Sequence, residues 1–413
     1  VYAVRAGACF DGERFVAGGA TVLVDGGRIR AVEPAGYDLP ADCRVHDYDQ
    51  ATVLPGLIDT HVHLVANSGP MALDRVAGYT GEEIEAVVTE ALRRHLAAGV
   101  TTVRDLGDRN FNVVDRRDAQ RARDDGLPWI VASGPPVTTP GGHCCYLGGE
   151  ALGAEQLRAA VRERVGRRVD VVKVMASGGV NTADTDVYAP QFSLADLRLL
   201  TDAAHGAGLA VTAHAHAAAA IDQAVAVGAD GLEHASFLAR SEDPAVPGLA
   251  ALRDGTASDA QLQALAQSGM AVCPTLGGFT VESLRRAPET VRKRMLEGGV
   301  TLEELVEKRL SLIRQMHEAG VRLVGGADAG IGPGKAHGLY AESVVELAAV
   351  TGVAESLVAS TSAAAQVCGL GERKGRLAAG YDADLVVVAG DLARNLTRLR
   401  EVRQVVLRGQ LVG

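Results

Sequence analysis

Two histidines spaced i and i+2, His61 and His63, end an apolar run that begins Val53-Leu54-Pro55-Gly56-Leu57-Ile58-Asp59-Thr60. In a strand the side chains alternate between faces, so both imidazoles project to one side, close enough to share a metal ion. The bland alternative is a pair of polar residues at a strand end. Their company argues for chemistry. Asp59 stands two residues earlier, and Lys173, His214, His216, His234 and Asp328 stand at the ends of later apolar runs. These residue types bind zinc-like ions, and four imidazoles with a carboxylate exceed what one tetrahedral ion needs. The set points to two divalent ions, zinc first among them.

Lys173 carries the most information. It lies in Val169-Asp170-Val171-Val172-Lys173-Val174-Met175, a run suited to a buried central strand. Burial of an ammonium is costly and lowers its pKa. A neutral amine can take up carbon dioxide as a carbamate, whose two oxygens can bridge two cations. Taken alone, a lysine paired with an acid such as Asp170, or a Schiff-base lysine, is an equal reading. Beside His61, His63, His214 and His234 the bridging carbamate is preferred. His234 by itself reads equally as a hydrogen-bonded core histidine, and Asp328 as a helix N-cap. His214-Ala215-His216 offers two candidates for one role.

The elements that must position these residues alternate in type. Candidate strands are Val53–Asp59, Thr101–Asp105, Trp129–Ser133, Val169–Met175, Leu209–His214, Gly231–His234, Ala271–Pro274 and Leu323–Asp328. Helical periodicity appears between them, over Glu82–Ala97, Ala154–Val165, Leu194–Ala207 and Leu302–Ala319. Eight strands alternating with helices predict an α/β fold, a (β/α)8 barrel, with its site at the C-terminal ends of the strands. A doubly wound sheet is disfavoured, because no Gly-x-Gly-x-x-Gly follows the first strand. Both chain ends are β-rich. A hairpin signal, Asp25-Gly26-Gly27, joins two β-rich runs, and strands are expected over Ala383–Val388 and Val402–Leu407. The expected organisation is a composite β-sandwich domain, 1–52 plus 370–413, around a barrel over 53–369. The connections Arg240–Thr256 and Gly277–Arg294 are long enough to read as lids.

The chain has 413 residues, is 47% hydrophobic with only 4% aromatics, and carries a net charge of −10. No basic patch is visible to neutralise phosphates, which argues against a nucleic-acid binder. Six scattered cysteines without CxxC spacing suggest reduced thiols. No apolar run approaches a membrane span, and residues 1–7 lack a secretory pattern. The expectation is a cytoplasmic homo-oligomer with a small-molecule substrate and no membrane partner.

Leu54-Pro55-Gly56-Leu57-Ile58-Asp59-x-His61-x-His63 resembles the signature of the amidohydrolase superfamily, metal-dependent hydrolases on a TIM barrel. The composite β domain is similar too, through Gly380-Tyr381-Asp382-Ala383-Asp384-Leu385-Val386. Lys173–Val180, His214-Ala215-His216, Gly231-x-Glu233-His234, Gly326–Gly330 and the loop Thr139-Pro140-Gly141-Gly142-His143 together resemble the prolidase-like, Xaa-Pro-dipeptidase-type branch. The resemblance implies His214 on metal and His216 on the substrate side. Deaminases of the superfamily carry His-x-x-Glu after the fifth strand; here Ala217 stands in that place, which disfavours deamination.

The expected reaction is hydrolysis of an amide C–N bond of a dipeptide or N-acyl amino acid. A carbamate, urea or ester substrate is the alternative, and a non-enzymatic assembly module the remote one. His61 and His63 hold one ion, His214 and His234 the other, and carbamylated Lys173 bridges them. Asp328 binds the first ion and shuttles the proton. His143 and His216 steady the oxyanion. Asp59 orients a ligand or fixes the strand end. Tyr188 is a candidate substrate contact, with loop packing as its alternative, and His337 either faces the pocket or caps a helix.

Overall fold

The computed structural model describes residues 1–182, 184–240, 255–285, 289, 292 and 301–412. Of the expected lids, 240–256 lies largely outside the described residues, and 277–294 lies outside them at 286–288, 290–291 and 293–294.

Among the described residues eight parallel strands alternate with helices in chain order. The strands are Leu57–Val62, Val100–Asp105, Trp129–Ala132, Val172–Met175, Val211–Ala217, Gly231–Leu238, Ala271–Cys273 and Arg322–Leu323. Helices Gly81–Ala97, Asn112–Ala122, Gly153–Gly166, Leu194–Gly206, Ala218–Val227, Asp259–Ser268, Leu302–Glu318 and Tyr340–Thr351 follow them in turn. The ladders form a three-stranded and a five-stranded group. Two seams join the groups. At one, Val137 pairs with Val174, with Val137 N donating to Lys173 O at 2.8 Å. At the other, Asp328 N donates to His61 O at 2.8 Å and His63 N to Ala329 O at 2.9 Å. The barrel is therefore closed, and the second seam runs through the histidine pair.

Local sequence explains the helix starts. Thr80, Ser258 and Thr301 each accept from the backbone three residues on, while Glu83, Gln261 and Glu304 return the bond. These reciprocal capping boxes satisfy donors that the first turn leaves open. The helices bury one apolar stripe, as Ile84, Val88, Ala91, Leu92 and Leu96 do in Gly81–Ala97.

The chain ends meet in one eight-stranded sheet. Arg44–Pro55 lies at its centre, parallel to Tyr2–Phe10 and antiparallel to Leu385–Ala389. Ile29 N also donates to Tyr381 O at 2.9 Å, a further tie between the two chain ends in this β domain. Val53, Leu54 and Pro55 pair with Val387, Val386 and Leu385, so the first barrel strand begins at Leu57 and not at Val53. Both runs are buried; they differ in partner, Leu57–Val62 pairing with the barrel strand Val100–Asp105. No described helix is long and apolar enough to cross a membrane.

The eighth strand is shorter than its apolar run suggests. Its ladder covers only Arg322–Leu323, and Gly325-Gly326 then passes close beneath His61. A Cβ on Gly326 would lie 2.5 Å from Cys273 Sγ and 3.0 Å from His61 N, so glycine is required by proximity.

Candidate metal centre

At the C-terminal ends of the strands the structure gathers two clusters of donors that face one cleft, with His61, Glu233 and Cys273 a third group behind them. His61, His63 and Asp328 form one, and His214, His216 and His234 the other, each with donor atoms within 4.8 Å of one another. The ring centroids of His61 and His234 are 5.4 Å apart, so the clusters share one cleft. All of these side chains are buried except the half-buried His216.

The hydrogen bonds fix which imidazole nitrogens are available. His61 Nδ1 faces Glu233 Oε2 at 2.8 Å, and His63 Nδ1 faces Gly107 O at 3.3 Å. Carboxylate and carbonyl oxygens only accept, so both Nδ1 atoms carry the proton and both Nε2 atoms present lone pairs. Those lone pairs point at the same oxygen: Asp328 Oδ1 lies 3.4 Å from His61 Nε2 and 3.2 Å from His63 Nε2. Acceptors facing an acceptor need a proton or a cation between them. His63 answers in part with a raised pKa: burial pushes it down, but the bond to Asp328 and that carboxylate's charge outweigh it. Asp328 is held well below the usual carboxylate range, where His61 and His63 overcome the cost of burial.

On the opposite wall the rings pack against one another. Centroids lie 4.5 Å apart for His143–His214, 4.6 Å for His214–His234 and 4.5 Å for the stacked His216–His234. His214 Nε2 donates to Gly178 O at 3.3 Å, leaving Nδ1 as its lone-pair atom. His234 Nδ1 meets Thr275 Oγ1 at 2.8 Å, and His216 Nδ1 meets Ser236 Oγ at 2.9 Å. Burial first, then neighbouring imidazoles, pushes His214 and His234 well below the usual histidine range. Burial likewise brings His143 and His216 down to about 3. At neutral pH this wall offers uncharged nitrogen lone pairs.

Lys173 is 1% exposed and its Nζ has no hydrogen-bond partner. Burial lowers its pKa, with Glu233 opposing and Arg104 assisting. The alternative pairing with Asp170 does not occur, because Asp170 is taken by Arg117 and Arg121. An orphaned buried amine, two lone pairs aimed at a carboxylate, and a wall of neutral imidazoles suit divalent cations.

The remaining expected residues are placed as follows. His143 reaches the cleft from the loop after the third strand, with Nδ1 at 2.8 Å from Thr182 Oγ1. Gly179 permits this, since a Cβ there would sit 2.3 Å from the His143 ring. Tyr188 is half-buried, its ring under the guanidinium of the exposed Arg240 at 5.7 Å. Asp59 fixes the strand end: Oδ1 accepts from His61 N at 3.2 Å and from Ala327 N at 3.0 Å. His337 neither faces the cleft nor caps a helix with its side chain. Its Nε2 donates to Ala66 O at 2.9 Å, so Nδ1 accepts from buried His95 Nε2 at 3.0 Å.

Sequence reasoning missed Glu233 and Arg104. Glu233 accepts from His61, from Thr212 Oγ1 at 2.6 Å and from Arg104 Nη2 at 3.0 Å, while Arg104 Nε donates to Thr60 O at 2.7 Å. Both are charges inside buried strands, the same signal that singled out Lys173. Lys335 was also missed; its Nζ donates to Thr275 O at 2.7 Å and Ala327 O at 2.8 Å, tying the seventh strand end to the eighth.

The sequence profile of the amidohydrolase family matches residues 52–412. The chain is 24% identical to ochratoxinase of Aspergillus niger over 386 residues, covering 86% of this chain and 73% of that protein. Its fold is similar to a crystal structure of a Xaa-Pro dipeptidase with bound methionine: TM-score 0.82 at 24% identity, covering 100% of this chain and 99% of the other. A prolidase complexed with N-methylphosphonate-L-proline is similar at TM-score 0.77 and 26% identity, with coverage of 100% and 99%.

Proposed function

The chain belongs to the amidohydrolase family, metal-dependent enzymes acting on C–N bonds, and on that premise we propose hydrolysis of a peptide-like amide at a centre of two divalent ions. The substrate class is an Xaa-Pro-type dipeptide or an N-acyl amino acid. The observation that carries the reading is the orphaned Lys173 amine between a carboxylate-facing histidine pair and an all-imidazole wall. Prolidase and dipeptidase structures among the similar folds favour the peptide-like substrate.

His61, His63 and Asp328 would hold one ion, and His214 and His234 the other. The Lys173 amine, whose pKa burial lowers, would in its neutral form add to carbon dioxide with loss of one proton, and the resulting carbamate would help to hold the ions. Bound zinc ions supply Lewis-acid polarisation and lower the pKa of water toward neutrality. Asp328, already ionised, accepts the proton of the attacking water and passes it to the leaving nitrogen. His143 and His216, uncharged at neutral pH, donate hydrogen bonds to the developing oxyanion. Glu233 keeps the His61 proton on Nδ1 and its lone pair in the cleft. Tyr188 contacts the substrate from the loop after the fourth strand.

The test joins metal analysis to a substrate panel. Protein dialysed against metal-free buffer should retain close to two ions per chain, and Lys173→Ala fewer. Xaa-Pro dipeptides, N-acyl amino acids and an aryl carbamate are then assayed with added zinc or manganese. One ion or none in the wild type ends the binuclear reading. Turnover of the carbamate alone ends the peptide-like reading and leaves the centre intact.

A further inference from the structure

The sixth barrel strand leaves its ladder at the residue that matters most. Pairing with the fifth strand runs from Thr212–Gly231 to Ala215–His234 and resumes only at Ala217–Leu238. At the last paired residue His234 and in the gap at Ala235 and Phe237, φ is 72°, 50° and 49°, and Thr275, beyond the seventh strand, has 51°. Left-handed backbone at such residues is unfavourable and persists only where the surroundings hold it. Here it lets adjacent residues face the same way: Glu233 meets His61 at 2.8 Å, and the His234 ring packs 5.4 Å from that same His61 ring. It also turns carbonyls out of the ladder, and a buried carbonyl needs a donor.

Arg309, on helix Leu302–Glu318, supplies the donors. Its Nη2 donates to His234 O at 2.5 Å and to Pro274 O at 2.8 Å, and its Nη1 to Ala235 O at 3.3 Å. The guanidinium therefore grips the residue bearing the imidazole and the residue just before Thr275. The Thr275 hydroxyl is the partner of His234 Nδ1 at 2.8 Å, the bond that sets the rotation of the ring. Both ends of that bond are tied to one planar group. A lysine there would offer a single ammonium in place of a rigid fork and cannot hold the three carbonyls in the same register.

We propose that Arg309 is a positioning residue that aims the His234 imidazole at its metal ion by clamping the ends of the sixth and seventh strands. The proposal rests on the reading of His234 as a metal-holding residue. The test titrates metal-free protein with cobalt(II), following visible absorption and binding affinity. It compares wild type, Arg309→Lys, Arg309→Met, Thr275→Val, His234→Ala and the exposed same-helix control Gln315→Ala. Arg309→Lys and Arg309→Met should weaken one of the two cobalt sites about 10–100-fold and change its absorption band. Gln315→Ala should match wild type. If folded Arg309 variants bind cobalt as wild type does while His234→Ala does not, the clamp is overturned and the metal reading stands. If His234→Ala also binds as wild type, the metal reading falls and the clamp with it. Should both Arg309 variants fail to fold, Thr275→Val decides: a shifted band supports the clamp, and an unchanged one overturns it.

Discussion

The two walls of the cleft solve the same problem by different electrostatics. The His61–His63 wall is balanced by acids: Asp328 faces both rings, and Glu233 backs His61 while it is itself neutralised by Arg104. The His143–His214–His216–His234 wall has oxygen partners that are hydroxyls and carbonyls, and its rings stay uncharged because burial forbids a proton. The first wall pairs its charges before any ion arrives. The second waits as bare lone pairs. The difference teaches that the acid side should govern the proton traffic of catalysis, whereas the imidazole side should govern how the folded protein responds to pH.

The largest effect should come from breaking the acid side at its centre. Asp328→Asn should lose about 10²–10⁴ in kcat, the usual worth of general acid–base work, while metal analysis still finds two ions. A loss under about tenfold would remove Asp328 from the proton's path. Glu233→Gln strikes the same wall one layer further out. It should cost about 10–100-fold in metal affinity, read by competition with a chelator, because His61 then loses the carboxylate that fixes its tautomer.

The imidazole side can be probed without a substitution. On this side His143 and His216 are lowered to about 3 by burial, and His61 across the cleft to about 4, whereas unfolded histidine titrates near ~6.5. Below that pH the unfolded chain takes up protons that the folded metal-free protein refuses, so this stability is full above ~6.5 and lost as pH falls. His63 runs the other way: its pKa is raised, and its contribution is present below ~6.5 and lost as pH rises through its folded value. The depressed group is the larger, so the Tm of metal-free protein should drop by roughly 5 °C or more from pH 7 to pH 5. A Tm that rises on acidification would invert the comparison. The smallest effect belongs to Thr182→Val, which deletes the hydroxyl beside His143 Nδ1. One neutral hydrogen bond is worth about 0.5–1.5 kcal/mol, so kcat/KM should fall about two- to tenfold with metal content unchanged.

Much of this arrangement is legible from spacing. The i, i+2 spacing brings His61 and His63 to one oxygen of Asp328 even though the strand ends at Val62 and its register shifts between Asp59 and Val62, and Lys173 betrays itself as a charge in an apolar run. The same rule fails at Glu233 and His234. Alternation would send one of these neighbours outward, and only the left-handed turn of His234 brings both to the interior. Backbone conformation of that kind leaves no trace in residue type when the residue is not glycine. Arg309 and Lys335 are hidden for a related reason: each acts on main-chain carbonyls more than 30 residues or one loop away, and a carbonyl has no side-chain identity to read. The start of the first barrel strand differs from the expected Val53 because Val53–Pro55 and Leu57–Ile58 read as one apolar run. What separates them is the partner, Leu385–Ala389 for the former and Val100–Asp105 for the latter.

That partner also sets an order of events during synthesis. Residues 51–55 leave the ribosome early, yet their ladder neighbours, Leu385–Ala389, emerge only after the whole barrel. Thr52, Val53, Leu54 and Pro55 are buried in the finished protein. Until then they form a sticky edge on a nascent chain, a template for pairing with a neighbouring polypeptide. A chaperone that shields this short apolar stretch during translation would therefore raise the yield of folded protein without touching the catalytic cleft, and slowing the barrel's own collapse would lower it.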